Sequence, residues 1–204
     1  MDYQTRLFCR GKKTITSDIL MSGLENEPLA ENLELETEKT DTHNQIIVRK
    51  NGLELIIIIE LLPEKKEEDK LKLKKIIEYC ETKLPAKNMK WVKKYISKAD
   101  IVYEFVPVSG FDTEDGFEIL TLLQTEAWVN SRGIFQYSGE GFTNESGDLV
   151  LWDYPYSITG RRIAALKDFT GRWKTFEMDL ESLNQRNEFF KGKVPNNAKL
   201  IFRG

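Results

Sequence analysis

The chain is poor in the residues that carry most enzymatic chemistry. Its 204 positions hold one His and two Cys. Cys9 and Cys80 stand far apart and outside any C-x-x-C or C-x-H spacing, which excludes a Zn site of usual ligand spacing. Cys9 falls in an expected strand. Cys80 is in phase with the apolar face of an expected helix, so both are read as reduced packing residues. His43 is flanked by Asp41, Thr42, Asn44 and Gln45. A Ser-His-Asp or Cys-His mechanism has to run through this one imidazole, and no nucleophile elbow accompanies it. It is expected as an exposed or hydrogen-bonded loop residue. Long apolar runs are also lacking. The longest, Leu55 to Leu62, spans eight residues and is interrupted by Glu60. A bilayer needs about 20. Met1–Gln4 has neither the basic region nor the apolar core of a signal peptide. A cytoplasmic chain with no membrane span is the expectation.

What is present suits a packed domain. Charged residues make up 31% and hydrophobic residues 40% of the chain. We read residues 1–204 as a single compact α+β domain, with 1–98 and 99–204 as possible subdomains. Strands are expected at 3–10, 45–50, 53–62, 100–108, 134–138, 148–153, 171–178 and 198–203. Asn51-Gly52 between two apolar runs predicts a type I′ hairpin. The run Leu-Glu-Leu-Ile-Ile-Ile-Ile predicts a strand covered on both faces and central in its sheet. Helices are expected after Thr16 or Ser17, over 66–84 and 87–98, after Asp112 or Thr113, and over 181–190. Residues 25–44 read as an acidic loop or irregular edge. The fold class is helices packed on a mixed, largely antiparallel sheet.

The formal net charge of -3 conceals segregation. Residues 64–98 carry +6, residues 100–153 carry -10 and residues 154–204 carry +5. The Lys block mixes acids at helix spacing and contains almost no Arg, which argues against a nucleic-acid site. The acidic block holds eleven carboxylates and one base, Arg132. It either attracts a basic partner or pairs internally with the basic segments.

The most distinctive stretch runs from Gly133 to Tyr156. Gly139-Glu140-Gly141 is followed by a strand, so it is no phosphate cradle. Glu140, Asn144, Glu145 and Asp148 lack the alternating ligands and terminal Glu of a Ca²⁺ loop. No metal or cofactor is expected. Residues 134–138 and 148–153 read as a hairpin around Asn144-Glu145-Ser146-Gly147. Trp152 is read as core, whereas Tyr154, Tyr156 and Arg161-Arg162 have the aromatic and arginine character of interface hot spots.

This strand, Gly-rich turn and strand, ending at Trp152-Asp153, resembles bacterial immunity proteins that neutralise polymorphic toxins. The resemblance covers about 20 residues, Gly133 to Trp152. It implies a non-catalytic protein that binds a toxin, often a basic nuclease, through carboxylates and aromatics. The expected partner surface comprises Glu114, Asp115, Glu118, Glu140, Asn144, Asp148, Asp153, Tyr154, Tyr156 and Arg161. Two alternatives stand beside it. One is a carboxylate-dependent hydrolase using Glu140, Asp148 and Asp153. The other is an accessory or structural protein of a bacterial or phage system.

Overall fold

The computed structural model describes residues 4–11, 13–113 and 115–202. The expected strand ends at Tyr3 and Arg203, and Glu114, lie outside the described residues. In chain order the first elements are β1 (Thr5–Cys9), α1 (Ser17–Leu24), β2 (Leu33–Lys39), β3 (Asn44–Lys50), β4 (Leu53–Leu61), α2 (Glu67–Cys80), α3 (Ala86–Ile96) and β5 (Ile101–Pro107). They are followed by α4 (Gly116–Ser131), β6 (Gly133–Tyr137), β7 (Gly141–Thr143), β8 (Leu149–Trp152), β9 (Arg161–Lys167), β10 (Trp173–Asp179), α5 (Leu183–Phe190) and β11 (Lys199–Ile201). The mixed α and β content and the mostly antiparallel pairing follow expectation. Strand content exceeds it, because β2, β7 and β9 were read as loop or turn. The chain divides into two compact units, Met1–Lys70 with Ala99–Gly133, and Leu71–Lys98 with Ile134–Gly204.

The first unit is arranged around β4. Its strands run in the order β1-β5-β4-β3-β2, all antiparallel, with β4 in the middle. Leu55, Ile56, Ile58 and Leu61 are buried, and each such side chain contributes about 1.5–3 kcal/mol by leaving water. Asn51 and Gly52 both adopt positive φ, 52° and 78°, as the tight β3–β4 turn requires. Cross-strand register places Asn44, Glu60 and Tyr103 in one row, and Ile46, Ile58 and Phe105 in the next. Thr16 caps α1 by accepting the Ile19 N–H at 3.3 Å, and Leu20 and Leu24 face inward. Helix α4 buries Ile119, Leu120, Leu123 and Ala127. Two expectations fail here. The spacing of Phe117, Leu120, Leu123, Ala127 and Trp128 predicts one inward face, but Phe117 is largely exposed. The N-cap position falls on Asp115 and carries no side-chain cap, so neither Asp112 nor Thr113 caps the helix.

In the second unit, β6, β7 and β8 form a meander. The Asn144–Gly147 turn therefore joins β7 to β8, and the expected direct hairpin of 134–138 with 148–153 is replaced by two tighter ones. Gly141 is required: its φ is 129°, and an added Cβ would sit 1.9 Å from the Leu151 carbonyl oxygen. The chain then crosses over residues 153–160 and returns as β9, parallel to β8 through a single pairing, Leu149 with Ala164. Strands β10 and β11 continue antiparallel. Trp152, Phe176, Met178 and Phe189 form the core of this unit.

A parallel pair with so little ladder leaves carbonyls needing donors. Asn88, fully buried on α3, supplies them. Its amide donates to the carbonyls of Val150 on β8 and Ala165 on β9, both at 2.9 Å, and its Oδ1 accepts the Lys167 N–H at 3.3 Å. Asn88→Ala strands two buried carbonyls and one part-buried N–H, so chemical denaturation should show a loss of about 3 kcal/mol. A loss below about 0.5 kcal/mol would contradict the role assigned to Asn88.

Candidate functional site

The expected partner residues fall in both units. Asp115 lies in the first unit, where Lys50 Nζ meets it at 2.8 Å. Glu118 lies in the first turn of α4. The remaining seven belong to the second unit. Asn144 and Asp148 are buried and serve the β7–β8 turn. Asn144 Oδ1 accepts the N–H groups of Ser146 and Asp148, both at 2.9 Å. Asp148 Oδ2 accepts from Asn144 Nδ2 at 3.2 Å and from Thr175 Oγ1 at 3.1 Å. Both side chains are committed inside the fold and do not reach its surface.

Glu140, Tyr154 and Arg162 form a closed triad. The Tyr154 hydroxyl donates to Glu140 at 2.9 Å, Arg162 Nη2 meets the same carboxylate oxygen at 2.8 Å, and Arg162 Nε donates to the Tyr154 oxygen at 2.7 Å. Asp153 is held by Lys83 and by the Tyr79 hydroxyl, both arriving from the α2–α3 segment. Burial, followed by the Glu140 charge, pushes the Tyr154 phenol up. Burial and the Asp153 hydrogen bond also push up Tyr79. Burial pulls Lys83 down, but Asp153 and Tyr79 outweigh it and leave the ammonium above its ordinary value. All three groups hold their protons at neutral pH, which suits fixed contacts better than proton transfer.

The loop between β8 and β9 is fixed from beneath by Arg186 of α5, which is 3% exposed. Its guanidinium donates to the carbonyls of Leu180, Tyr156 at 2.7 Å and Ile158 at 3.0 Å. The Tyr156 backbone is therefore anchored while its side chain stands free, the residue being 87% exposed. Beside it lies a depression of about 200 Å³ lined by Trp152, Asp153, Tyr154, Arg186 and Phe190. Trp152 stacks edge-on with Tyr154 and Phe190, at 5.3 and 5.5 Å between ring centres. Arg161 is exposed, with Glu177 at 3.6 Å.

Tyr79, Lys83, Arg186 and Phe190 of this site were not among the residues expected, whereas Arg162 was named only as one of the Arg161-Arg162 pair. Arg162 was legible in part, because adjacent residues of a strand face opposite sides and only one arginine of the pair can meet Glu140. Nothing in the local sequence marks Arg186.

In the first unit His43 is nearly buried, as a hydrogen-bonded residue at the start of β3. Its Nε2 lies 2.8 Å from Asp69 Oδ1, while Asp69 Oδ2 accepts the Leu62 N–H at 2.8 Å. Glu68 lies 3.6 Å from the same imidazole nitrogen. This cluster ties the start of α2 to the end of β4. Cys9 and Cys80 are free and buried, and desolvation pushes their thiols up to about 11 and about 12. Comparison with protein-family models, with curated proteins and with solved structures gave no match.

The raised groups set an alkaline limit. Each contributes stability that is complete below its unfolded value and lost as pH rises towards the folded one. Stability should start to fall near pH 9.0, the ordinary thiol value, and Tyr154 joins from its ordinary 10.0. Tyr154→Phe removes the tyrosine's share, so denaturation at a series of pH values should show variant and parent converging above pH 10. A gap that stays constant would contradict the role assigned to Tyr154 in the triad.

Proposed function

We propose that this chain is a non-catalytic protein-binding module that holds its partner through the aromatic and arginine face of the second unit. The observation that carries this reading is Tyr156, almost fully exposed on a backbone that Arg186 immobilises. An exposed aromatic on a rigid loop loses little entropy on binding, and Tyr, Trp and Arg dominate binding hot spots. Trp152, Tyr154 and Arg161 extend the same character around it. Immunity-type neutralisation of a toxin is the form of this reading that the Gly133–Trp152 resemblance implies. Two buried thiols favour a reducing, cytoplasmic setting. The same reading has helices covering the sheet faces, which Asn88 of α3 supports by reaching β8 and β9.

The carboxylates make a smaller contribution than their number in the sequence implies. Glu140 and Asp153 are already neutralised by Arg162 and Lys83. A basic partner is then recognised mainly by contact and only secondarily by a net acidic field. The test is co-purification with the product of the neighbouring reading frame. The parent chain should retain that protein, and Tyr156→Ala, with unchanged thermal stability, should weaken the complex by at least about 30-fold. No complex, or equal retention by the variant, would overturn the proposal.

A further inference from the structure

Four carboxylates are buried among the described residues: Glu60, Asp69, Glu104 and Asp148. Three are amply matched. Asp69 meets His43 and the Leu62 N–H. Glu104 meets Arg6 Nε at 2.7 Å. Asp148 takes two side-chain donors. Glu60 differs. It is 8% exposed, and the one hydrogen bond to its carboxylate among the described residues is from Asn44 Nδ2 at 3.0 Å. No ion pair among those residues reaches it. A carboxylate taken this far from water ordinarily has a cation or several donors.

Glu60 also borders open space. It lines two neighbouring cavities in the first unit, of about 350 Å³ and about 380 Å³, which share Thr14, Asn44 and Glu60. The first is walled by Ile15, Ile46, Ile58 and Tyr103, with Thr16, Thr37, Gln45 and the exposed Lys39 also lining it. Register explains the arrangement: Glu60 and Ile58 project from the same face of β4, beside Asn44 and Ile46 of β3. The roof is pinned, because the Ile15 N–H donates to the Tyr103 hydroxyl at 2.8 Å. Tyr103 accepts that bond and keeps its own proton available as a donor. A volume of this size lies at the lower end of small-ligand pockets, and an apolar wall with a few placed polar groups is their usual composition. Lys39 lies on the exposed rim and makes no ion pair with Glu60 among the described residues.

We propose that this cavity is a binding site for a small organic cation, an ammonium group on a compact apolar body, with Glu60 as its counter-ion. The ammonium supplies the charge and donors that Glu60 lacks, and the body replaces water along Ile15, Ile46 and Ile58. The site is in the first unit and is independent of the protein-binding face of the second.

The experiment is calorimetric titration of the full chain with cyclohexylammonium and, in parallel, with the neutral isostere cyclohexanol. The parent should bind the cation at least about tenfold tighter than the alcohol. Glu60→Gln keeps the shape and removes the charge, and should erase that preference. Ile58→Trp fills the space and should abolish both. The comparison of the two probes on the parent chain stands even if a variant fails to fold. Equal binding of both probes, a preference that survives Glu60→Gln, or no binding of either probe would each overturn the proposal.

Discussion

Carboxylates removed from water must be met by a donor or a cation, and that requirement organises both units. Leaving a buried carboxylate without a partner costs several kcal/mol, comparable with a large part of a domain's net stability. The basic segments of the sequence supply two of the partners, Lys83 and Arg162, and the N-terminal strands supply two more. Lys50 comes from β3 to Asp115, Arg6 from β1 to Glu104, Lys83 from the α2–α3 connection to Asp153, and Arg162 from β9 to Glu140. Four of the eleven carboxylates in the block from 100 to 153 are thus engaged in holding the fold. Among the described residues the buried carboxylate that departs from the rule, Glu60, also lines two cavities.

The second unit applies the same rule to the backbone. Its crossover from β8 to β9 has only one parallel pairing, so the carbonyls nearby cannot be satisfied by a ladder. Asn88 and Arg186, each on a helix and each buried, reach in to satisfy them. Their cost is desolvation and their return is a rigid loop. That rigidity is what turns Tyr156 from an exposed aromatic into a preorganised one.

The parts of this structure legible in sequence were those encoded locally. The Asn51-Gly52 turn, the central apolar strand β4, the Thr16 cap, and the burial of Cys9, Cys80 and Trp152 all follow from short-range pattern. Strand β2 was hidden because its edge position lets Glu34, Glu36 and Glu38 alternate with only weak apolar partners. Strand β9 was hidden because Arg161-Arg162 opens it and its apolar core is short. Strand β7 has three residues, too few for a period to show. Asn144 and Asp148 looked like surface ligands because nothing local distinguishes a buried Asx turn from an exposed one. Asn88 and Arg186 were invisible for the same reason, since all their partners but Leu180 lie 28 to 79 positions away along the chain. Glu60 was visible as an interruption of an apolar run, but only the cavities give it meaning.

The central claim is that buried carboxylates here are matched from within, with Glu60 reserved for a cation from outside. A crystal structure of the full chain grown with cyclohexylammonium tests it most directly. The account predicts the ammonium nitrogen at about 2.7–2.9 Å from a Glu60 carboxylate oxygen, with the ring against Ile46 and Ile58. A lysine of the chain itself seated on Glu60, with the cavity closed over it, would contradict the account.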